Sequence, residues 1–222
     1  MGSGVPYGWA AVPPRTVTLV GLMGAGKTAI GKRLAARLGL PFVDADLEIE
    51  SAAACSIEDY FLRHGEAAFR EGELRVIARL LERPVHILAT GGGAFIDQTT
   101  RALMRQRAIS VWLRADLEVL VARTARRNNR PLLKQGDPRD VLAHLIKLRY
   151  PIYAEADLTI DSEDTPLDDM VERVLVALET HLGQPLLWRP AAVEPQLPPA
   201  GLQDPPAGSL DQETVRTMKA KP

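Results

Sequence analysis

A chain of 222 residues, 46% hydrophobic and 25% charged, has the size and composition of one well-packed globular domain with residues to spare. A formal net charge of −1 gives no global electrostatic case for nucleic acid or an anionic membrane as partner, and no segment offers the roughly 20 apolar residues of a membrane span. The single cysteine, Cys55, excludes an intrachain disulfide and fits a reducing compartment; the opening "MGSGVPYGWAAVPPR" has neither the basic region nor the apolar core of a signal peptide, so a cytoplasmic location is expected.

Residues 1–15 are expected to be a disordered extension. The first strand, Thr16–Val20, runs into "GLMGAGKT" at 21–28, and a helical pattern follows over Lys27–Leu38 with Gly39 as its stop. Gly21-x-x-x-x-Gly26-Lys27-Thr28 satisfies the P-loop pattern in full. Its glycines let successive N–H groups turn inward on a phosphate chain, and the following helix aims its positive dipole end at the same anion. Lys27 is placed to reach the β and γ oxygens, and Thr28 to give its hydroxyl to Mg²⁺. The backbone and side chains of Gly24, Ala25, Gly26, Lys27, Thr28 and Ala29 form the expected ATP cradle. The loop does not say what receives the phosphoryl group.

The second strand, Pro41–Asp44, ends in "DADLEIE". Ligands of open α/β sheets sit beyond the carboxyl ends of the strands, and residues two apart in extended chain point the same way. Asp44 and Asp46 are thus candidates for a water of the metal shell and for the proton of an attacking hydroxyl; equally, both merely cap the helix "LEIESAAA". "SIED" at 56–59 has the form of a capping box opening a short helix, and a longer helix is expected over Glu66–Leu81. The strand His86–Thr90 leads into Gly91, Gly92 and Gly93, which is either a close backbone approach to a ligand or a plain turn. Thr90 stands where many P-loop enzymes carry an acidic residue, which disfavours a generic ATPase or GTPase.

Further on, helices are expected over Thr99–Gln106, Leu117–Arg127, Pro138–Tyr153 and Leu167–His181, the last stopped by Gly183, with strands over Ser110–Leu113 and Asp157–Ile160. Strands alternating with helices predict an α/β fold, a three-layer sandwich with a five-stranded parallel sheet. "RTARRNNRPLL" at 123–133 is the most basic stretch, without the aromatic interleaving of a nucleic-acid surface. Gly136 and Pro138 suit hinge-like ends of a loop. From Gly183 to Pro222 the chain is proline-rich without a sustained period, and it reads as a disordered tail behind a single domain spanning 16–182.

Together "GLMGAGKTAIGKRLA", "FVDADLEIE", "SIEDYFLRHGEAAFREGE", "ILATGGGAF", "RNNRPLL" and "RYPIYAEAD" resemble the shikimate kinases, P-loop enzymes of the nucleoside-monophosphate-kinase-like group, in family order and spacing. The resemblance implies ATP- and Mg²⁺-dependent phosphorylation of the 3-hydroxyl of shikimate, in the route to chorismate and the aromatic amino acids. It implies that Asp46 takes the substrate hydroxyl and Asp44 binds a water on Mg²⁺. Arg70 and Arg149 would clamp the shikimate carboxylate, Gly92 and Gly93 approach its ring, Arg130 close over the phosphates on a lid, and Arg123 lie against the adenine. By residue type alone Arg70 and Arg149 read as solvated helix arginines, although a planar guanidinium suits a carboxylate, and Glu73 is spaced to steady Arg70. The segment after the last strand, "DSEDTPLDD", is acidic where some relatives carry arginines; backbone near Thr165 and Pro166 is the remaining candidate for adenine contact. A monomer acting on small molecules, with no nucleic-acid or membrane partner, is expected.

Overall fold

The computed structural model describes residues 12–125 and 136–186. The extension at 1–11, the expected lid segment with Arg130, and the tail from 187 onward lie outside the described residues.

β1 (Thr16–Val20) is buried at every position and forms the centre of a five-stranded sheet of order β2-β3-β1-β4-β5. β3 (Ile87–Ala89) and β4 (Ala108–Arg114) flank it in parallel, with Thr18 opposite Leu88 on one side and Val20 opposite Trp112 on the other. β2 (Phe42–Asp44) and β5 (Leu158–Asp161) complete the sheet, also in parallel. Parallel strands need crossovers, and the helices that make them cover both faces. All the strand ends that follow the P-loop logic therefore open on one edge, where the candidate residues collect.

α1 (Lys27–Leu38) buries Ile30, Leu34 and Leu38, one stripe at helical spacing. It lies so close to the sheet that a Cβ on Gly31 would stand 2.7 Å from the Phe42 ring. α2 (Ala45–Ala53) starts directly at the end of β2 with Asp44 as its N-cap. α3 (Ile57–Leu80) consists of two helical arms joined at a kink, the two expected from "SIED" and from Glu66 onward. Its Ser56 cap accepts from the Asp59 N–H at 3.1 Å, the first half of the capping box, and its hydroxyl donates to the Asp59 carboxylate at 2.7 Å. Gly65 interrupts it at φ 76°, ψ 175°, a backbone region open to glycine, with nothing near enough to obstruct a side chain. Conformation, not space, requires glycine there. Phe61 stacks on Phe69 across the break at 4.3 Å, holding the two arms together.

α4 (Gln98–Arg107) is capped by Asp97, whose carboxylate accepts from the Thr100 N–H. α5 (Leu117–Ala125) presses Leu120 and Thr124 against the P-loop. α6 (Pro138–Tyr153) opens on the Asp137 cap with Pro138 in its first turn, at the expected bounds. α7 (Leu167–Leu182) ends at Gly183 in the left-handed conformation and packs on α1. The packed chain does not stop there. Leu186 is buried in the core and its N–H donates to Glu179 Oε1 at 2.8 Å, so the domain runs four residues past the expected boundary.

Candidate active site

The P-loop leaves β1 with Gly21, Gly24 and Gly26 all at positive φ. Gly26 caps α1 in the left-handed conformation, which turns consecutive N–H groups toward one side. Lys27 Nζ arches over the loop to the carbonyls of Gly21 at 2.8 Å and Leu22 at 3.0 Å. Thr28 Oγ1 donates to Asp44 Oδ2 at 3.1 Å, joining the loop to the end of β2. Ala25 Nα donates to Leu22 and closes the turn.

The second strand end corrects the sequence reading. Asp44 is extended, but Asp46 already lies in the first turn of α2, so the two carboxylates do not alternate along a strand. Of the roles weighed for Asp44, capping is the one seen: Oδ1 accepts from the Asp46 N–H at 3.1 Å, while Oδ2 accepts from the Thr28 hydroxyl. Asp46 turns toward Gly91 at the end of β3.

Each glycine of the triplet answers to a different neighbour. Gly91 backs onto the Asp46 carboxylate, with Glu73 next to it. A Cβ on Gly93 would lie 2.4 Å from Arg70 Nη2, so the guanidinium occupies the space a side chain would need. Gly92 has ordinary room, and its part is played by its carbonyl, which accepts from Arg149 Nη1 at 3.0 Å and from the Tyr153 hydroxyl. Arg70 and Arg149, 79 residues apart in sequence numbering, thus meet at adjacent peptides of one loop.

Arg70 is fixed by Glu73 at 2.5 Å and Glu66 at 3.2 Å, with its guanidinium over the Phe69 ring. Glu73 is only 2% exposed. Burial pushes its carboxyl above the usual range, Arg70 pulls it back, and the carboxylates of Asp46 and Asp97 add to the upward push. Burial also pushes the Tyr153 hydroxyl up to about 12, so it serves as a neutral donor. Sequence reasoning named Glu73 only as a spacing partner, named Gly91 only as part of the glycine triplet, and did not single out Tyr153. The i, i+4 spacing of Arg149 and Tyr153 within "RYPIYAEAD" was the available signal.

On the nucleotide side, Arg123 reaches from α5 to Ser162 Oγ at 2.9 Å, to the Gly24 carbonyl at 3.4 Å and to the Glu163 carbonyl. The acidic segment after β5 is tied down by arginines: Asp161 to Arg114, Glu163 to Arg173 and Asp168 to Arg33. Thr165 Oγ1 is buried without a hydrogen-bond partner among the described residues, next to this edge. Arg130 lies outside the described residues. Among the described residues no cluster of three or more His, Cys, Asp or Glu could cage a metal, and no helix is long and apolar enough to cross a membrane.

A five-stranded parallel sheet with a Gly-x-x-x-x-Gly-Lys-Thr loop between its central strand and the next helix defines a P-loop nucleotide-binding protein. The shikimate kinase family model matches residues 23–179, and the chain belongs to that family. It is 61% identical over 168 residues to the shikimate kinase of Paramagnetospirillum magneticum, covering 76% of this chain and 86% of that one. It is 54% identical over 173 residues to that of Rhodopseudomonas palustris, covering 78% and 85%. Among solved structures, a shikimate kinase from Acinetobacter baumannii in complex with shikimate superposes with a TM-score of 0.71 at 39% identity, over 76% of this chain and 93% of that chain.

Proposed function

We propose that the edge formed by the P-loop, Asp46 and the glycine triplet transfers the γ-phosphoryl group of ATP to the 3-hydroxyl of shikimate, giving shikimate 3-phosphate and ADP. As a member of its family the chain is a shikimate kinase, a transferase of chorismate and aromatic amino acid biosynthesis. The observation that carries the residue-level reading is the convergence of Arg70, Arg149 and Asp46 on Gly91, Gly92 and Gly93. Two guanidiniums give the planar forks that a ring carboxylate takes, and the carboxylate of Asp46 lies beside them for a ring hydroxyl.

In this reading Arg70 and Arg149 hold the substrate carboxylate, and the Gly92–Gly93 backbone lies along the ring. Asp46 orients the hydroxyl and accepts its proton as the oxygen–phosphorus bond forms and the bond to the bridging oxygen of ADP breaks. Orientation is its larger contribution, because phosphoryl transfer passes through a loose transition state. Lys27 leaves the Gly21 and Leu22 carbonyls for the β and γ oxygens. The resemblance assigns Arg130 to the lid charge over the phosphates and Arg123 to the adenine.

The oxygen donors Thr28 and Asp44 suit Mg²⁺, which is held by few protein groups together with water and substrate phosphates rather than by a protein cage. Asp44 would act through a water. When bound, the ion neutralises charge on the β and γ phosphates.

The test is ADP release measured with shikimate, gluconate and nucleoside monophosphates as acceptors. Release with shikimate alone is expected; release with a monophosphate but not shikimate would overturn the acceptor assignment.

A further inference from the structure

Ser162 follows β5 directly and is 2% exposed. Its hydroxyl lies between two groups that come from distant parts of the chain. Oγ is 3.0 Å from the Ala25 carbonyl of the P-loop and 2.9 Å from Arg123 Nη1. A guanidinium only donates, so Ser162 accepts from Arg123 and its own proton must go to Ala25. The same Arg123 nitrogen reaches the carbonyl of Gly24, the preceding P-loop residue, at 3.4 Å. Ser162 is itself anchored, since its N–H donates to the Arg114 carbonyl at the end of β4.

These contacts have a consequence for the opposite face of the loop. The Ala25–Gly26 peptide is trans and planar, so its C=O and N–H point in opposite directions. Holding the Ala25 carbonyl outward on Ser162 turns the Gly26 N–H to the other side, where the loop curves around its anion. A row of inward N–H groups is unfavourable until phosphate arrives, and a carbonyl free to rotate would relieve it. Ordering the loop beforehand lowers what nucleotide binding must expend in conformational entropy. Gly24 is packed against Thr124 and Leu120 in the same corner, so the loop's outer face rests on α5 and the end of β5 together.

We propose that Ser162 is a positioning residue for ATP: its hydroxyl holds the outer face of the P-loop and the guanidinium of Arg123 as one unit, presetting the Gly26 N–H for the nucleotide phosphates. The proposal rests on reading the loop as the ATP site. It predicts an effect on nucleotide alone, because Arg70, Arg149 and the glycine triplet make no contact with this corner in the hydrogen-bond pattern described.

The experiment compares full-length wild type, Ser162→Ala and Ser162→Thr by calorimetric titration with ADP and by steady-state KM for ATP and for shikimate. Ser162→Ala is expected to weaken ADP binding and raise the KM for ATP by about five- to tenfold, the effect of one buried hydrogen bond, with the KM for shikimate unchanged. Ser162→Thr keeps the hydroxyl and should return both nucleotide values to within about twofold of wild type. ADP binding by Ser162→Ala within about twofold of wild type overturns the proposal. So does an equal rise in both KM values, a failure of Ser162→Ala to fold, or a Ser162→Thr protein as impaired as Ser162→Ala. ADP titration needs no acceptor, so the comparison stands even if the shikimate assignment fails.

Discussion

Gly91 and Asp46 share a space that only one of them can fill: a Cβ on Gly91 would stand 2.6 Å from Asp46 Oδ1 and 3.4 Å from Glu73 Oε1. The first distance is well inside contact, and Asp46 has a short side chain fixed on the first turn of α2. Gly91 is not among the glycines at positive φ, so an alanine there meets no backbone strain. Its whole effect falls on the carboxylate.

Gly91→Ala is therefore a test of Asp46 without touching Asp46. Displacing a group that orients the nucleophile by a fraction of its own length costs on the order of 10²-fold in rate. The kcat should fall by about that factor while ADP affinity stays at the wild-type value. Turnover retained at more than half of wild type would remove Asp46 from contact with the reacting hydroxyl.

Arg149→Lys addresses the other side of the same loop. Arg149 Nη1 holds the Gly92 carbonyl at 3.0 Å, and the clamp reading needs its planar fork for a carboxylate. An ammonium supplies one point charge and no fork. The KM for shikimate should rise by about tenfold or more, the loss of one charged hydrogen bond, with the KM for ATP unchanged. Equal changes in both constants, or none, would sink the clamp.

The parts of this site that the sequence displayed are those written in consecutive residues. The P-loop and α1 appear at the expected positions because strand, glycine loop and helix are neighbours, and Ile30, Leu34 and Leu38 keep one period throughout. Asp46 was misplaced because the two-residue alternation of β2 was carried one turn too far; Asp44 ends the strand by capping α2 with its own side chain. The two helical arms of α3 were legible as two because the capping box opens the first and Gly65, with its non-helical backbone, separates it from the second. Arg70 and Arg149 needed the family pattern, since nothing local distinguishes them from surface arginines. Ser162 had no local signal at all: its partner Ala25 is 137 residues away, and a lone serine after a strand is ordinary.

Leu186 gives the domain boundary a measurable consequence. It is 3% exposed and belongs to the core, while Glu179 holds its N–H. Truncation after Leu186 keeps these contacts, whereas truncation after Leu182 removes them. Leu186→Ala should lower stability by about 2 kcal/mol or more, and the chain ending at Leu182 should melt lower than the chain ending at Leu186. Equal melting temperatures for the two truncations would show that Leu186 contributes nothing to the core.

His86 makes stability depend on pH. The imidazole is buried at the start of β3, with Nδ1 2.9 Å from the Pro84 carbonyl and 3.2 Å from Thr16 Oγ1. Bonding to a carbonyl places the proton on Nδ1, so Nε2, which has no partner among the described residues, is the nitrogen that must take a second proton. Burial, opposed by the Pro84 carbonyl, holds its pKa below the ordinary 6.5. As pH falls through 6.5 the unfolded chain takes up this proton before the folded one, so the unfolded state binds more protons and stability declines. Above 6.5 both states are neutral at this site and its contribution is complete. His86→Gln cannot titrate there. Denaturant melts of the two proteins should show a shallower loss of stability in His86→Gln than in wild type on going from about pH 7.5 to about pH 5. Parallel losses over that range would assign the acid sensitivity to carboxylates and clear His86 of any part in it.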